Sequence, residues 1–571
     1  MAHVTRSEDS GTAEQRTEQP AGPIAVRPNP LRWWALAATC VGLFMALLDI
    51  TIVNVALPTI GDDLHASFAD LQWVVNAYAL SLAVFLVTGG RLGDIFGRKR
   101  LFMLGLGLFA LGSLICGVSG SFSIGGFSHI QVLIAARAFQ GIGGAIMTPL
   151  ALAIIAATFG GRERAAAIGI YGGVTGLAVA IGPVVGGLLV TNVGWQSIFF
   201  VNVPIGVIGI AMCALTVSES FDRTASRSID VFGLITLTIS VFCLVLALIQ
   251  GDDPDKGWTS TYILILFAIA ALALIVFVIG ELRLKSPMVD PRLFGNASFS
   301  GAAIVAFALS GGLYALFFFL TLYFQNFLGY SALDTGLRFL PLSGLTLVVA
   351  PLAGTLTHRL GPKLIMVAGM ACAVASVLLM TVITPADTQS DWVRLLPAFV
   401  LGGIASGLVS PVISNVAVST VHYNRAGMAS GISGVCRQIG TAFGIAFLGA
   451  ILTNQYDAGL QSGISKLNVP HVPPAQAHGI VQSIINGLEQ AGTFAGSTGL
   501  RYNVPAQYQA FTHQALFPQI AAVVQSAYIS ATVDAFRWAA VLLGIGLLAA
   551  LLLVKRADMK HQDVPAAGEM L

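Results

Sequence analysis

The chain has 571 residues, of which 56% are apolar and 10% are charged, and its formal net charge is +2. An ordinary soluble domain carries about 25% charged residues, and a disordered chain is poorer in apolar residues, so neither class fits. The low net charge argues against a nucleic-acid partner. The six cysteines fall inside apolar segments, which is typical of small core residues and not of disulfides or a metal site.

Apolar runs long enough to cross a bilayer, which takes about 20 residues each, recur along the chain. They predict an all-α polytopic membrane protein with fourteen transmembrane helices and polar tails at 1–32 and 556–571. The predicted helices span 33–58, 71–90, 101–119, 131–158, 164–190, 198–217, 229–250, 260–281, 299–323, 334–357, 363–384, 392–418, 427–453 and 535–554.

The basic residues predict which side of the membrane each loop faces. The loop after the first helix has three aspartates and no basic residue, whereas the loop after the second has four basic residues. With both termini in the cytoplasm, 21 of the 29 basic residues lie inside, three lie outside, and five lie in or beside helices. The pattern therefore predicts a cell-membrane protein with cytoplasmic termini.

One predicted outer loop, residues 454–534, is long. Within it, residues 475–490 and 519–533 have helix-like apolar spacing. They are interpreted either as interfacial helices on the outer leaflet or as parts of a partly ordered loop. A loop of this size could also contact an adaptor protein in the cell envelope.

A repeated loop sequence indicates internal symmetry. Gly90-Arg-Leu-Gly-Asp-Ile-Phe-Gly-Arg-Lys-Arg100 and Gly354-Thr-Leu-Thr-His-Arg-Leu-Gly-Pro-Lys363 share their glycine spacing and lie 264 residues, or eight predicted helices, apart. Two six-helix halves separated by two extra helices give this offset. The predicted organisation is a first half at 33–217, an inserted helix pair with linkers at 218–297, and a second half at 298–555.

Four local patterns resemble those of a known family. They are Leu48-Asp-Ile-Thr-Ile-Val-Asn-Val-Ala-Leu-Pro58, the Gly90–Arg100 loop, Arg137-Ala-Phe-Gln-Gly-Ile-Gly143 and Gly182-Pro-Val-Val-Gly-Gly187. With them, the chain resembles the major facilitator superfamily, and more closely its fourteen-helix drug:proton antiporter branch, the EmrB/QacA type. It departs from the pattern at Ile95 and Gln196, where Arg is expected, and at Ala178, where Gly is expected.

The resemblance implies the major facilitator fold and a proton-coupled efflux transporter that exports drugs or other amphipathic or cationic small molecules by alternating access. Its partners would be the substrate, protons and membrane lipid, and it would act as a monomer. No enzyme activity, metal or cofactor is expected, and the sequence has no Gly-x-x-x-x-Gly-Lys-Ser/Thr loop for a nucleotide.

Two alternative functions remain open. The first is a dedicated exporter of an endogenous lipid or natural product. The second is a proton-coupled uptake symporter. Peptide importers of that kind carry Glu-x-x-Glu-Arg on helix 1, where this chain has Asp49-Ile-Thr-Ile-Val-Asn54.

Asp49 is the only carboxylate deep within a predicted helix. A charge there costs about 2.5–3.5 kcal/mol on insertion scales, so it needs a partner or a function. Asp49 is expected about 13 Å below the outer end of helix 1, and Arg137 about 9 Å below the same face, so the two could pair. The pair is either a permanent ion pair that fixes packing or a switchable proton site, and the resemblance implies proton coupling.

Three further groups of residues are candidates. The loop between helices 2 and 3 is interpreted as a gating latch or a positive-inside anchor, and the helix 5 motif as a seal or as ordinary close packing. Polar residues in other helices are candidates to line a substrate cavity, or simply form packing hydrogen bonds. The latch residues are Gly90, Asp94, Gly97, Arg98 and Lys99; the motif residues are Gly182, Pro183, Gly186 and Gly187; the cavity candidates are Asn54, Asn76, Tyr78, Gln140, Tyr314, Gln325, Arg437 and Gln438.

Overall fold

The computed structural model describes residues 30–121, 126–159, 161–221, 230–251, 257–284, 287, 289–420, 426–464 and 517–555. Within these ranges the chain is helical and contains no strand. The predictions for residues 475–490 and for most of the two tails lie outside the described residues.

Fourteen helical rods follow one another in the described ranges. They are α1 (Arg32–Leu64), α2 (Phe68–Phe96), α3 (Arg98–Val118), α4 (His129–Thr158), α5 (Gly161–Asn192), α6 (Ser197–Thr216), α7 (Val231–Gln250), α8 (Thr261–Arg283), α9 (Ala297–Phe327), α10 (Ala332–Leu360), α11 (Pro362–Met380), α12 (Leu396–Ser419), α13 (Ala426–Ile464) and α14 (Phe517–Leu552). Thirteen are long and apolar enough to cross a membrane, and α5 contains a shorter apolar segment. The predicted fold class is confirmed.

The helices pack in two groups that repeat each other with an offset of eight helices. In the first group α4 packs on α2 and α3, and α1 packs on α5 and α6. In the second group α12 packs on α10 and α11, and α9 packs on α13 and α14. Across the groups, α5 packs on α10 and α13 packs on α2, which are equivalent contacts under the same symmetry. Helices α1–α6 and α9–α14 therefore form two halves.

The remaining two helices, α7 and α8, pack on each other beside the halves. α7 also contacts α2 and α13, where the halves meet. α8 leaves many large apolar side chains exposed. In a bilayer such a surface faces the lipid chains, because the bilayer solvates apolar side chains well.

The first helix is longer than predicted. α1 continues through Pro58 to Leu64. The proline removes one backbone hydrogen bond, and the packing of the rest of the helix compensates for this loss. Beyond the apolar run, the indole N–H of Trp195 donates to the carboxylate of Asp63 at 2.7 Å. This contact holds the polar end of α1, and the sequence alone gives no sign of it.

The prediction of a long loop at 454–534 is wrong at both ends, because α13 and α14 extend into it. Residues 519–533 belong to α14 and do not form a separate interfacial helix. The extensions pack together as an antiparallel hairpin: a Cβ added at Gly459 would lie 3.0 Å from the Cβ of Ala527. Helical packing therefore continues past the point where the apolar runs end.

Two short π-helical segments, Ser310–Tyr314 and Tyr323–Phe327, interrupt α9. The first lies where α9 meets α13. A Cβ added at Gly311 would lie 2.8 Å from the carbonyl oxygen of Gly440, so only glycine allows the two backbones to come this close.

Candidate functional site

A fully buried ion pair lies inside the first half. Asp49 on α1 and Arg137 on α4 have side chains that are 0% and 2% exposed. Oδ2 of Asp49 accepts a hydrogen bond from Nη1 of Arg137 at 2.5 Å. The surroundings exclude water, so the attraction between the two charges is screened far less than at a surface.

Two amide side chains complete the surroundings of the aspartate. Its Oδ1 accepts from Nε2 of Gln140 at 2.8 Å and from Nδ2 of Asn202 at 3.1 Å. Both amides also donate to Oγ of Ser113, at 3.2 and 3.0 Å. The network thereby joins four helices, α1, α3, α4 and α6. We call this set the Asp49 cage: Asp49, Ser113, Arg137, Gln140 and Asn202.

Arg137 is fixed by further contacts. Its Nε donates to the carbonyl oxygen of Val74 at 3.2 Å, and its Nη1 donates to Oε1 of Gln140 at 2.7 Å. The guanidinium carbon lies 4.3 Å from the centroid of the Tyr78 ring, a cation–π contact. The arginine is therefore held in one position by contacts besides its ion pair with Asp49.

The carboxyl group of Asp49 meets three donors and lies near one free acceptor. Arg137, Gln140 and Asn202 all donate to it. Oδ1 of Asn202 is buried and, within the described residues, has no hydrogen-bond partner. If the amide of Asn202 turned over, this oxygen could accept the O–H of a protonated Asp49.

The structure brings the predicted pair together, although the predicted depth is wrong. Because α1 ends at Leu64, Asp49 lies about 22 Å from that end. Sequence reasoning missed Ser113 and Asn202. The only sign of their role in the sequence is that each is a polar residue in an apolar helix, and such residues are common. No sequence spacing indicates that α3 and α6 bring them next to Asp49.

Three predicted cavity residues are buried in the protein. Gln140 belongs to the Asp49 cage, and the hydroxyl of Tyr78 donates to the carbonyl oxygen of Ala46 at 3.4 Å. Asn76 on α2 is 0% exposed, and within the described residues neither atom of its amide has a partner. Polarity in a helix did not indicate that these three positions are fully buried.

The other cavity candidates are half-buried. The hydroxyl of Tyr314 on α9 lies 2.7 and 2.8 Å from the hydroxyl oxygens of Ser406 and Ser410 on α12. This cluster joins α9 to α12 as the ion pair joins α1 to α4. The remaining half-buried candidates are Asn54 on α1, Gln325 on α9, and Arg437 and Gln438 on α13.

The first two glycines of the α5 motif fit α5 against α1. A Cβ added at Gly182 would lie 1.8 Å from Oγ1 of Thr51, and one added at Gly186 would lie 2.7 Å from Cγ1 of Ile52. Larger residues would separate the helix that carries Asp49 from α5.

The rest of the motif meets the second half. A Cβ added at Gly187 would lie 2.4 Å from Cα of Leu333 on α10. In return, a Cβ added at Gly336 of α10 would lie 2.1 Å from the carbonyl oxygen of Pro183. The two halves thus meet backbone to backbone, at the end of the bundle opposite the connection between α2 and α3. We call this contact the glycine seal.

Two hydrogen bonds donated by amide side chains also cross between the halves. Nε2 of Gln325 on α9 donates to the carbonyl oxygen of Val55 on α1 at 2.8 Å. Nε2 of Gln72 on α2 donates to the carbonyl oxygen of Ile445 on α13 at 3.1 Å. Both use backbone acceptors, so they form and break without leaving a charge exposed.

The latch loop is fixed by a residue that sequence reasoning missed, Glu219, which follows α6. The carboxylate of Glu219 accepts from the backbone N–H groups of Lys99 and Arg100, at 3.0 and 3.3 Å, and so caps the first turn of α3. Gly97 has a φ of +110°, which favours glycine, and a Cβ there would lie 2.7 Å from the Glu219 carboxyl carbon. The side chain of Asp94 lies outside the described part.

The contacts described for the other latch residues also lie within the first half. The N–H of Arg98 donates to the carbonyl oxygen of Ser220 at 2.9 Å. A Cβ added at Gly90 would lie 3.4 Å from Cβ of Pro149 on α4. The described contacts therefore join the latch loop to α4 and to the segment after α6.

Replacing Glu219 with Ala is expected to lower the melting temperature of the purified protein. The change removes the acceptor for two N–H groups at a helix start, a loss of about 0.5–2 kcal/mol. Thermal unfolding in detergent checks this, with Asp62→Ala, an exposed position near the end of α1, as control. Equal melting temperatures for the two variants would contradict the capping role.

Two symmetry-related halves that meet beside a buried ionisable cage define a secondary transporter. The Major Facilitator Superfamily model matches residues 39–445, and the chain belongs to that family. It is a multi-pass membrane protein.

Curated relatives match most of the chain. The "Tetracenomycin C resistance and export protein" of Streptomyces glaucescens is 36% identical over 87% of this chain and 88% of its own. The "Multidrug resistance protein Stp" of Mycobacterium tuberculosis (strain CDC 1551 / Oshkosh) is 36% identical over 83% and 85%. These relatives support assignment to the drug-efflux branch.

A solved structure supports the fold alone. It is a bacterial homolog to the human lysosomal transporter Spinster, in an inward-facing and unoccupied conformation. The match has a TM-score of 0.58 and 17% identity, and it covers 93% of this chain and 98% of that one.

Proposed function

We propose that this protein is a proton-coupled antiporter that exports amphipathic small molecules across the cell membrane by alternating access. The observation that carries the proposal is the Asp49 cage, a buried carboxylate held by a fixed arginine and two amides. An intramembrane carboxylate is costly, and a proton site is its best-known use. The names of the curated relatives supply the direction, since they describe resistance and export.

Proton uptake at Asp49 would act on four helices at once. A neutral carboxyl group attracts Arg137 less and cannot accept from all three donors. The contacts of α1 with α3, α4 and α6 would then weaken together. Because α1 also packs on α5, which forms the glycine seal, a change at Asp49 can reach the contact between the halves. In this way the charge of Asp49 would be coupled to the opening and closing of the contact between the two halves.

The distribution of basic residues supports an orientation with both termini in the cytoplasm. In that orientation the glycine seal lies on the outer side. A proton entering from outside would drive the exchange: one charge moving through 100 mV supplies about 2.3 kcal/mol, enough for roughly a 50-fold gradient of a neutral solute.

Proton release from energised inside-out vesicles tests the proposal. Adding ethidium, a quaternary ammonium compound or a lipophilic antibiotic is expected to release protons when the vesicles contain this protein. Vesicles treated with an uncoupler control for passive leak. Release with an endogenous lipid extract alone would favour the dedicated exporter, whereas proton movement together with substrate in the same direction would indicate a symporter. No coupled proton movement with any compound would refute antiport.

A further inference from the structure

Arg437 lies within the membrane-spanning bundle, on α13. It lies about 16 Å from the first residue of α13, and its side chain is half-buried. Within the described residues no acceptor, carboxylate or aromatic ring contacts its guanidinium group. A cation at this depth costs about 2.5–3.5 kcal/mol on insertion scales unless water or a ligand solvates it.

Two other described arginines within helices have a carboxylate partner. Arg137 pairs with Asp49, and Arg338 lies 3.4 Å from an oxygen of Asp334. The Asp49 cage is therefore close to neutral as a unit, and Arg437 leaves an uncompensated positive charge in the centre of the described bundle.

The position of Arg437 places this charge between the two halves. One turn before Arg437, on the same face of α13, a Cβ added at Gly434 would lie 2.6 Å from Cδ2 of Leu86 on α2, in the first half. One turn after it, a Cβ added at Gly440 would lie 2.4 Å from the carbonyl oxygen of Phe307 on α9, in the second half. A substrate that passes between the halves by alternating access would come within reach of this guanidinium.

The neighbours of Arg437 on the same face of α13 are small. One turn before and after Arg437, on the same face, the residues are Ser433, Gly434, Gly440 and Thr441, all of them small. A guanidinium presents five N–H donors in a planar fork that matches a carboxylate or another paired oxygen group. The site therefore has the charge and the donors for an oxyanion.

We propose that Arg437 binds an anionic oxygen of the substrate, a carboxylate or phenolate on an apolar planar frame, so that the exporter selects acidic amphipathic molecules over cations. Charge-assisted hydrogen bonds are about twice as strong as neutral ones, and they gain further where water is excluded. Gln438, the next residue, adds a half-buried amide at the same level. The proposal rests on the proposed function of export and specifies its substrate class.

Two dyes with one xanthene frame and opposite charge test the proposal. Fluorescein carries a carboxylate and a phenolate, whereas rhodamine 123 is a cation. With the full-length protein in detergent at neutral pH, fluorescence anisotropy is expected to show tighter binding of fluorescein. Arg437→Gln is expected to weaken fluorescein binding about tenfold or more, as truncating a desolvated charge pair does, and to leave rhodamine 123 binding unchanged or tighter. Arg437→Lys keeps the charge and should keep part of the preference.

Three results would overturn the proposal: tighter wild-type binding of rhodamine 123, unchanged fluorescein binding in Arg437→Gln, or no binding of either dye by folded protein. Asp49→Asn separates this inference from proton coupling, because that variant should lose coupled transport and keep the dye preference. Anion-selective binding without proton release in vesicles would refute antiport and leave the role of Arg437 standing.

Discussion

Replacing Asp49 with Asn is expected to abolish substrate-induced proton release, with at least a hundredfold loss of coupled transport. Asparagine keeps the size of the side chain but cannot carry a negative charge or exchange a proton at neutral pH. It also leaves Arg137 buried without its counter-charge, which is a destabilising change of about 3–5 kcal/mol. The measurement is proton release in energised inside-out vesicles, beside substrate binding to purified protein.

The matched control is Asp62→Asn on the same helix, where the side chain is exposed and the same chemical change should leave transport intact. Since Asp49→Asn could fold poorly, the double variant Asp49→Asn with Arg137→Gln removes both charges and should restore folding without restoring coupling. Proton release that persists in well-folded Asp49→Asn would refute the assignment of the proton site.

Replacing Gly336 with Ala is expected to force the halves apart at the glycine seal. The added Cβ would lie 2.1 Å from the carbonyl oxygen of Pro183, and backbone cannot yield as a side chain does. Overpacking of this kind costs about 1–3 kcal/mol, which corresponds to a shift of about 5- to 150-fold in the equilibrium between closed and open forms. Transport should fall by a similar factor.

A thiol reporter can measure the opening directly. The hydroxyl of Thr191 lies 3.4 Å from the N–H of Leu333 at the seal, so Thr191→Cys places a thiol there. A membrane-impermeant thiol reagent should react with this thiol faster in the Gly336→Ala background than in the wild-type background. Gly344→Ala on the same helix is the control, because a Cβ there would meet nothing within 4 Å. Equal reaction rates in the two backgrounds would show that the seal does not limit opening.

The sequence predicts the fold class and one pair of the site because both leave strong local signals. Apolar runs identify helices, and a lone carboxylate in a helix marks Asp49. Arg137 could be paired with Asp49 because the two residues are predicted at similar depths in the membrane. The depth of Asp49 was nevertheless counted from residue 58, whereas α1 ends at Leu64. The residues that complete the cage, Ser113 and Asn202, are ordinary polar residues until three-dimensional packing brings α3 and α6 to α1.

Helix ends were predicted less well because hydropathy indicates which residues lie in the membrane and not where a helix begins or ends. α13 and α14 continue as a hairpin beyond the apolar runs, held by close contacts such as Gly459 with Ala527. Likewise, Glu219 lies in a polar segment after α6, and nothing in its immediate sequence indicates that it caps α3. Such contacts are set by chain topology.

The two π segments of α9 distinguish it from α1, its counterpart in the first half. A π turn holds one surplus residue, and passing that residue along the helix rotates the side chains on one side of it by about 100° relative to those on the other. α9 can therefore twist in its middle without losing its helical hydrogen bonds, whereas α1, its counterpart, is α-helical throughout and is locked by the Asp49 cage. The two symmetry-related helices thus differ in stiffness: α1 is held rigid and α9 can twist about its axis.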